Sequence, residues 1–172
     1  MFGQHPNIKQ AASAAIVNGY SDGSFKPNRT VTRAEFAVIL MNASKQQGNG
    51  AELKFTDNGK IASLAQKAVA QAVEVHVISG YDDGTFRPDA EITRSEMAVM
   101  VARALGQSAA ATAESGFADD EDIPSWARGA TEDLKKLGIM EGKGANQFAP
   151  GDKTTRAEAV TVLLKMLAYK GK

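Results

Sequence analysis

The 172-residue chain contains no cysteine, a single tryptophan, two histidines and only 6% aromatic residues. Without cysteine there is no disulfide scaffold, no thiolate zinc site and no thiol nucleophile. His5 and His76 are the only histidines, and they fall in different parts of the chain with no nucleophile–base pairing around them. An enzyme is therefore not expected. The chain also lacks net charge: 20 Lys and Arg balance 20 Asp and Glu. Nucleic acid and anionic membranes both reward a strongly basic face, so neither is expected as a partner, and any anion recognition has to be local. No apolar run approaches the roughly 20 residues that cross a bilayer. The start, MFGQHPNIKQ, has neither the basic stretch nor the apolar core of a secretory signal, which leaves a cytosolic protein or a piece of a longer one. Asp82, Asp83, Asp119, Asp120 and Asp122 are acidic neighbours, but the twelve-residue spacing of a calcium loop is missing, so no metal or other cofactor is expected.

What the sequence does contain is a unit repeated three times. Thr32-Arg33-Ala34-Glu35 returns as Thr93-Arg94-Ser95-Glu96 and as Thr155-Arg156-Ala157-Glu158, so the arginines are 61 and 62 residues apart. Upstream, GYSDGSFKPN at 19–28 matches GYDDGTFRPD at 80–89, with GKGANQFAPG at 142–151 a looser third copy. Phe25, Phe86 and Phe148 fall in register, as do Pro27, Pro88 and Pro150. Phe55-Thr56-Asp57 matches Phe117-Ala118-Asp119, while the corresponding segment of the first copy would precede Met1. The repeats are placed at 1–45 (shortened at its N-terminus), 53–106 and 116–170, joined by polar, small-residue linkers at 42–52 and 106–116.

Each unit reads as helix, loop, helix. In the first helix Trp126, Ala130, Leu134 and Leu137 share one face, and Ile61, Leu64, Ala65, Ala68, Val69, Ala72 and Val73 do likewise. Gly138 suits the helix exit, where the other copies have Ala15 and His76. The loop closes with Phe-x-Pro, and the proline biases its predecessor toward extended geometry. In the second helix the Thr at the N-cap and the Glu three residues on form a capping box. Its body is apolar nearly all round (FAVILM at 36–41, MAVMVA at 97–102, AVTVLL at 159–164), which marks a buried helix. The expected fold is all-α: three helix–loop–helix repeats in pseudo-threefold order around a central three-helix bundle.

The arginine at the first helical position is the anomaly. A cation beside the positive end of a helix dipole costs roughly 0.3–1 kcal/mol when exposed, and the chain accepts this three times. Two readings stay open. In one, each arginine pins a loop carboxylate such as Asp22 or Asp83. In the other, the guanidinium and the free amides of the first turn converge on an external anion, since a helix N-terminus is an anion site and arginine is a two-pronged donor. The loops Gly19-Tyr20-Ser21-Asp22-Gly23 and Gly80-Tyr81-Asp82-Asp83-Gly84 offer a ring, carboxylates and flexible backbone, a mix suited to sugars. The same residues also suit a plain Asp-Gly turn with tyrosine covering the core.

The order FxD, amphipathic helix, GYxDGxFxP and TRAE resembles the S-layer homology domain in three tandem copies, over nearly the whole chain. The resemblance implies a secreted module at the bacterial cell surface or S-layer, folded as a monomeric pseudo-trimer. It implies inter-repeat grooves that bind a cell-wall polysaccharide carrying a pyruvate ketal on N-acetylmannosamine. It makes Arg33, Arg94 and Arg156 the carboxylate partners, with Tyr20, Asp22, Gly23, Tyr81, Asp83 and Gly84 as loop contacts. Two positions depart from the pattern: the third loop has Lys143 where the others have tyrosine, a second possible cation. The family's first-helix tryptophan, a ligand contact in that reading, occurs only as Trp126, with Leu64 in register in the second copy. The site containing Arg94 is expected to be the most complete. The competing reading is a protein–protein docking or S-layer self-assembly module, against which the thrice-repeated arginine argues.

Overall fold

A computed structural model describes residues 6–13, 16–107 and 114–172. The described residues form six α-helices: α1 (Pro6–Ser13), α2 (Arg33–Ser44), α3 (Ser63–Glu74), α4 (Arg94–Ala104), α5 (Ser125–Lys136) and α6 (Arg156–Lys170). Single 3₁₀ turns at Asn58–Lys60 and Asp120–Asp122 precede α3 and α5. Among the described residues β-structure is limited to isolated bridges, so the chain is all-α as expected. None of these helices is long and apolar enough to cross a membrane. His5, Ala15 and the middle of the 106–116 linker lie outside the described residues.

Helix pairing crosses the repeats. α2 packs on α3, α4 on α5 and α6 on α1, and α6 also touches α2 and α4. The buried side chains come from all three repeats, with Phe25, Phe36, Leu40, Phe86, Met97, Leu134, Phe148 and Leu163 essentially without exposed surface. In the first helices the packed stripe is small: Ala65, Ala68, Val69 and Ala72 in α3, Ala127, Ala130 and Leu134 in α5. Leu64 and Trp126 do not belong to it, contrary to the face drawn from their spacing. Leu64 is 94% exposed and Trp126 56% exposed. Each is the second residue of its helix and is followed by the alanine that takes the inward position, one step of 100° away around the axis.

Backbone hydrogen bonds join the repeats in a closed cycle. The Val31 amide donates to the Thr154 carbonyl at 2.9 Å, Thr154 to Ile92 at 3.0 Å, and Ile92 to Val31 at 3.0 Å. Beside this triangle the first amide of each second helix donates across a repeat boundary: Arg33 to the Ala90 carbonyl, Arg94 to Asp152 and Arg156 to Arg29, each at 2.9 Å. The second amides do the same, Ala34 to Pro88, Ser95 to Pro150 and Ala157 to Pro27 at 3.0–3.2 Å. The third amides, of Glu35, Glu96 and Glu158, donate to the hydroxyls of Thr32, Thr93 and Thr155. The orphan donors that make a helix N-terminus an anion site are thus already used. The reciprocal half of the capping box is present only at Thr93–Glu96; Glu35 and Glu158 turn elsewhere.

The Phe-x-Pro segments also differ from expectation. The residue before each proline is left-handed, not extended: Lys26 at φ 54°, Arg87 at 58° and Ala149 at 57°. In two repeats the Phe-x-Asp carboxylate accepts from this left-handed turn. Asp57 accepts from the amides of Phe86 and Arg87, both at 2.8 Å, and Asp119 from those of Phe148 and Ala149 at 2.7 and 2.8 Å. Successive amides turned toward one anion form a nest, which needs such a left-handed residue. Burial raises the Asp57 carboxyl, but the two amide donors outweigh it and hold the group below the usual carboxylate range. A carboxyl depressed in the folded state stabilises the fold above the unfolded value, and that contribution is lost as pH falls through the depressed one. Asp57→Asn should therefore lower stability at pH 7 by about 2 kcal/mol, with the difference from the parent chain shrinking below pH 4, as read from denaturation curves across pH.

Candidate carbohydrate-binding grooves

The arginine of one repeat serves the loop of the next. Arg33, at the first position of α2, reaches into the second repeat. Its Nε–H donates to the Phe86 carbonyl at 2.9 Å, one Nη2–H to the Ser79 carbonyl at 3.1 Å, and one Nη1–H to Glu96 Oε2 at 3.0 Å. The guanidinium lies 4.6 Å from the Tyr81 ring centre and 4.9 Å from that of Phe86. The Tyr81 hydroxyl donates to the same Glu96 oxygen at 3.1 Å, and burial, with Glu96 beside it, raises the phenol above its ordinary value. Arg94 repeats the pattern in the third repeat: Nε–H to the Phe148 carbonyl at 2.7 Å and Nη2–H to the Glu141 backbone carbonyl at 2.8 Å, with Glu158 Oε2 3.9 Å from Nη1. Burial lowers the Arg94 guanidinium from its ordinary value, opposed by Glu158. Arg156 closes the cycle onto the first repeat: Phe25 and Asn18 carbonyls at 3.0 Å each, Glu35 Oε2 3.8 Å from Nη1, and the Tyr20 ring at 5.0 Å.

This answers why a cation stands at each helix entrance. The arginine is buried (Arg33 and Arg94 retain 5% and 6% of side-chain exposure) and meets two loop carbonyls in fork geometry that lysine lacks. Its ion pair is with the glutamate of the next TRAE motif. Asp22 and Asp83 are not the arginines' partners. They sit in exposed turns, where each Oδ1 accepts from the amide and hydroxyl of Ser24 or Thr85. Lys26 lies 3.9 Å from Asp22 and Arg87 3.0 Å from Asp83. The Thr85 hydroxyl and amide, with Arg87, hold the Asp83 carboxyl down to about 2. Gly23 and Gly84, at φ 79° and 81°, supply the left-handed turn residue that an L side chain strains to adopt.

Two inter-repeat grooves open above buried arginines. The first, about 240 Å³, is lined by Arg33, Ser79, Gly80, Tyr81, Glu96, Val99, Met100, Arg103 and Trp126. It brings together Arg33, Tyr81 and Trp126, residues drawn from all three repeats. The second, about 250 Å³, is lined by Arg94, Met140, Glu141, Glu158, Thr161 and Lys165 among others and has no aromatic wall. Lys143 stands beside it, 3.0 Å from Asp152 and 3.8 Å from Glu158. Tyr20 belongs to the Arg156 cluster: its hydroxyl accepts from Arg29, and the Lys26 ammonium is 4.4 Å from its ring. Asp83 and Gly84 do not line the first groove. Sequence reasoning missed Arg103 and Lys165. Each lies seven residues after a TRAE glutamate, two helical turns down the same face of an otherwise apolar helix, and that spacing was the available signal.

The S-layer homology domain model matches residues 4–37, 54–98 and 116–160. The chain belongs to this family. Relatives of this S-layer homology chain include an amylopullulanase of Thermoanaerobacterium thermosulfurigenes, 34% identical over 95% of the chain and 9% of the relative. An exoglucanase (XynX) of Acetivibrio thermocellus is 35% identical over 93% of the chain and 15% of the relative. A cellulosome-anchoring protein of Acetivibrio thermocellus is 35% identical over 57% of the chain and 23% of its own length. The chain thus spans less than a quarter of each of these proteins.

Proposed function

We propose that the three repeats close into a pseudo-threefold ring and act as a non-covalent anchor to the bacterial cell wall, binding a secondary cell-wall polymer in the inter-repeat grooves. The observation that carries this reading is that all three family matches lie in one chain whose repeats cross-link in a cycle, producing grooves that no single repeat contains. Relatives named for surface layers, cell walls and cellulosome anchoring support a place at the cell surface. Enzymes that match over only 9% and 15% of their length support a module that carries other domains and performs no chemistry itself.

The acidic sugar implied by the resemblance, a pyruvate ketal on N-acetylmannosamine, suits a groove with an aromatic wall and a local cation on a chain of zero net charge. One charge-assisted contact contributes on the order of 1.5–3 kcal/mol, so a single groove binds one unit weakly. A polymer that meets more than one groove gains avidity through effective concentration. Co-sedimentation with purified cell-wall sacculi tests this. The chain should pellet with intact sacculi and stay in solution once the polymer has been chemically stripped. Retention on stripped sacculi would point to bare peptidoglycan or a wall protein instead.

A further inference from the structure

We propose that Asn49, in the linker between the first two repeats, deamidates spontaneously through a succinimide, and that the isoaspartate formed there detaches the linker from α3. Asparagine followed by glycine closes this ring most readily, because no side chain hinders the approach of the glycine nitrogen. The sequence has three such pairs: Asn18-Gly19, Asn49-Gly50 and Asn58-Gly59. The fold restrains two of them. Asn58 lies in a 3₁₀ turn, where its Oδ1 accepts from the Phe55 amide at 3.2 Å and its Nδ2–H donates to the Leu53 carbonyl at 2.6 Å. The Asn18 carbonyl accepts from Arg156 at 3.0 Å, so the rotation that carries the Gly19 nitrogen to the side chain would break that contact. Asn49 is exposed and outside any helix. Among the described residues neither its side chain, nor its carbonyl, nor the Gly50 amide carries a hydrogen bond.

The chemistry needs only water. The Gly50 nitrogen gives its proton to solvent base and bonds to the side-chain carbonyl carbon of Asn49. The bond from that carbon to Nδ2 breaks, and the nitrogen leaves as ammonia. Water then opens the ring. Cleavage at the side-chain carbonyl restores the main chain as aspartate; cleavage at the main-chain carbonyl leaves isoaspartate, with an extra methylene in the backbone. That methylene falls between two anchors. On one side Gln71, itself buried, donates from Nε2 to the carbonyls of Gly48 at 2.7 Å and Gln46 at 3.2 Å. On the other the Ala51 amide donates to the Ala70 carbonyl at 3.1 Å. Between them Gly50 lies so close to α3 that a Cβ built on it would stand 2.2 Å from the Ala70 carbonyl carbon. A lengthened backbone cannot keep both anchors seated over so tight a crossing. Losing them leaves the buried Gln71 amide without acceptors and loosens the pairing of α2 with α3 that the linker spans.

The test is ageing of the whole chain in mildly alkaline buffer, with and without urea, followed by peptide mapping; trypsin places the three pairs in separate peptides. In the folded chain Asn49 should convert about tenfold faster than Asn58, and also faster than Asn18, whereas in urea the three rates should agree within about threefold, because the protection is local structure. Equal rates at Asn49 and Asn58 in the folded chain would overturn the assignment. Hydrogen exchange tests the consequence. The isoaspartyl fraction should lose protection of the Ala51 amide while the Ile92 amide of the ring triangle keeps its own. Asn49→Asp carries the new charge without the extra methylene and should keep both. Protection retained at Ala51 in the isoaspartyl chain, or lost in Asn49→Asp, would overturn the detachment.

Discussion

Arg33→Ala is expected to destabilise the fold by about 3 kcal/mol, because it removes one partner from a buried, hydrogen-bonded charge pair. The Phe86 and Ser79 carbonyls would lose their donor, and Glu96 would keep only the Tyr81 hydroxyl and its half of the capping box. For a domain of this size the melting temperature should fall by roughly 6–12 °C. Arg33→Lys should fall between, since an ammonium restores the charge but cannot bridge two carbonyls and a carboxylate in one plane. Thermal unfolding followed by circular dichroism checks both. An unchanged midpoint with lost sugar binding would return the arginine to the role of ligand contact.

Phe86→Ala should cost still more, about 3–5 kcal/mol. The ring is fully buried, lies 5.3 Å centre to centre from Phe55 at a tilt of 38°, and forms one face of the guanidinium sandwich on Arg33. Removing it opens a cavity directly beneath the first groove and frees the loop whose carbonyl holds Arg33. Denaturant titration should show a lower midpoint, and sugar binding should weaken with it at temperatures where the variant is still folded. Phe148, packed 5.2 Å from Phe117 beneath Arg94, should behave alike in its own repeat.

The repeat period, the helical class and the apolar second helices were legible because they rest on local pattern. TRAE at spacings of 61 and 62, Thr at the N-cap and FAVILM-like runs each announce themselves within a dozen residues. The helix exit at Gly138 was legible for the same reason, and His76 occupies the equivalent left-handed position at φ 60° despite its side chain. What the pattern does not encode is which repeat each group faces. The arginines were read either against carboxylates of their own loops or against an external anion, and neither reading shows that the cyclic crossing hands Arg33 to the second repeat and Arg94 to the third. Trp126 was expected both as a ligand contact and, by its spacing from Ala130 and Leu134, on the packed face; it stands in the wall of the first groove, outside the packed stripe. The loop aspartates looked like ligands or arginine partners, whereas the carboxylates that tie the entrance to the Phe-x-Pro turn are Asp57 and Asp119 of the short Phe-x-Asp segment. Once the crossing is known, the aromatic residues collect above Arg33.

The most direct measurement is a crystal structure of the chain with the pyruvate-ketal N-acetylmannosamine bound. The account predicts the sugar in the first inter-repeat groove, with the Nε–H and Nη2–H of Arg33 still on the carbonyls of Phe86 and Ser79. A sugar seated away from that groove, or an Arg33 swung off its carbonyls onto the ligand's carboxylate, would contradict it.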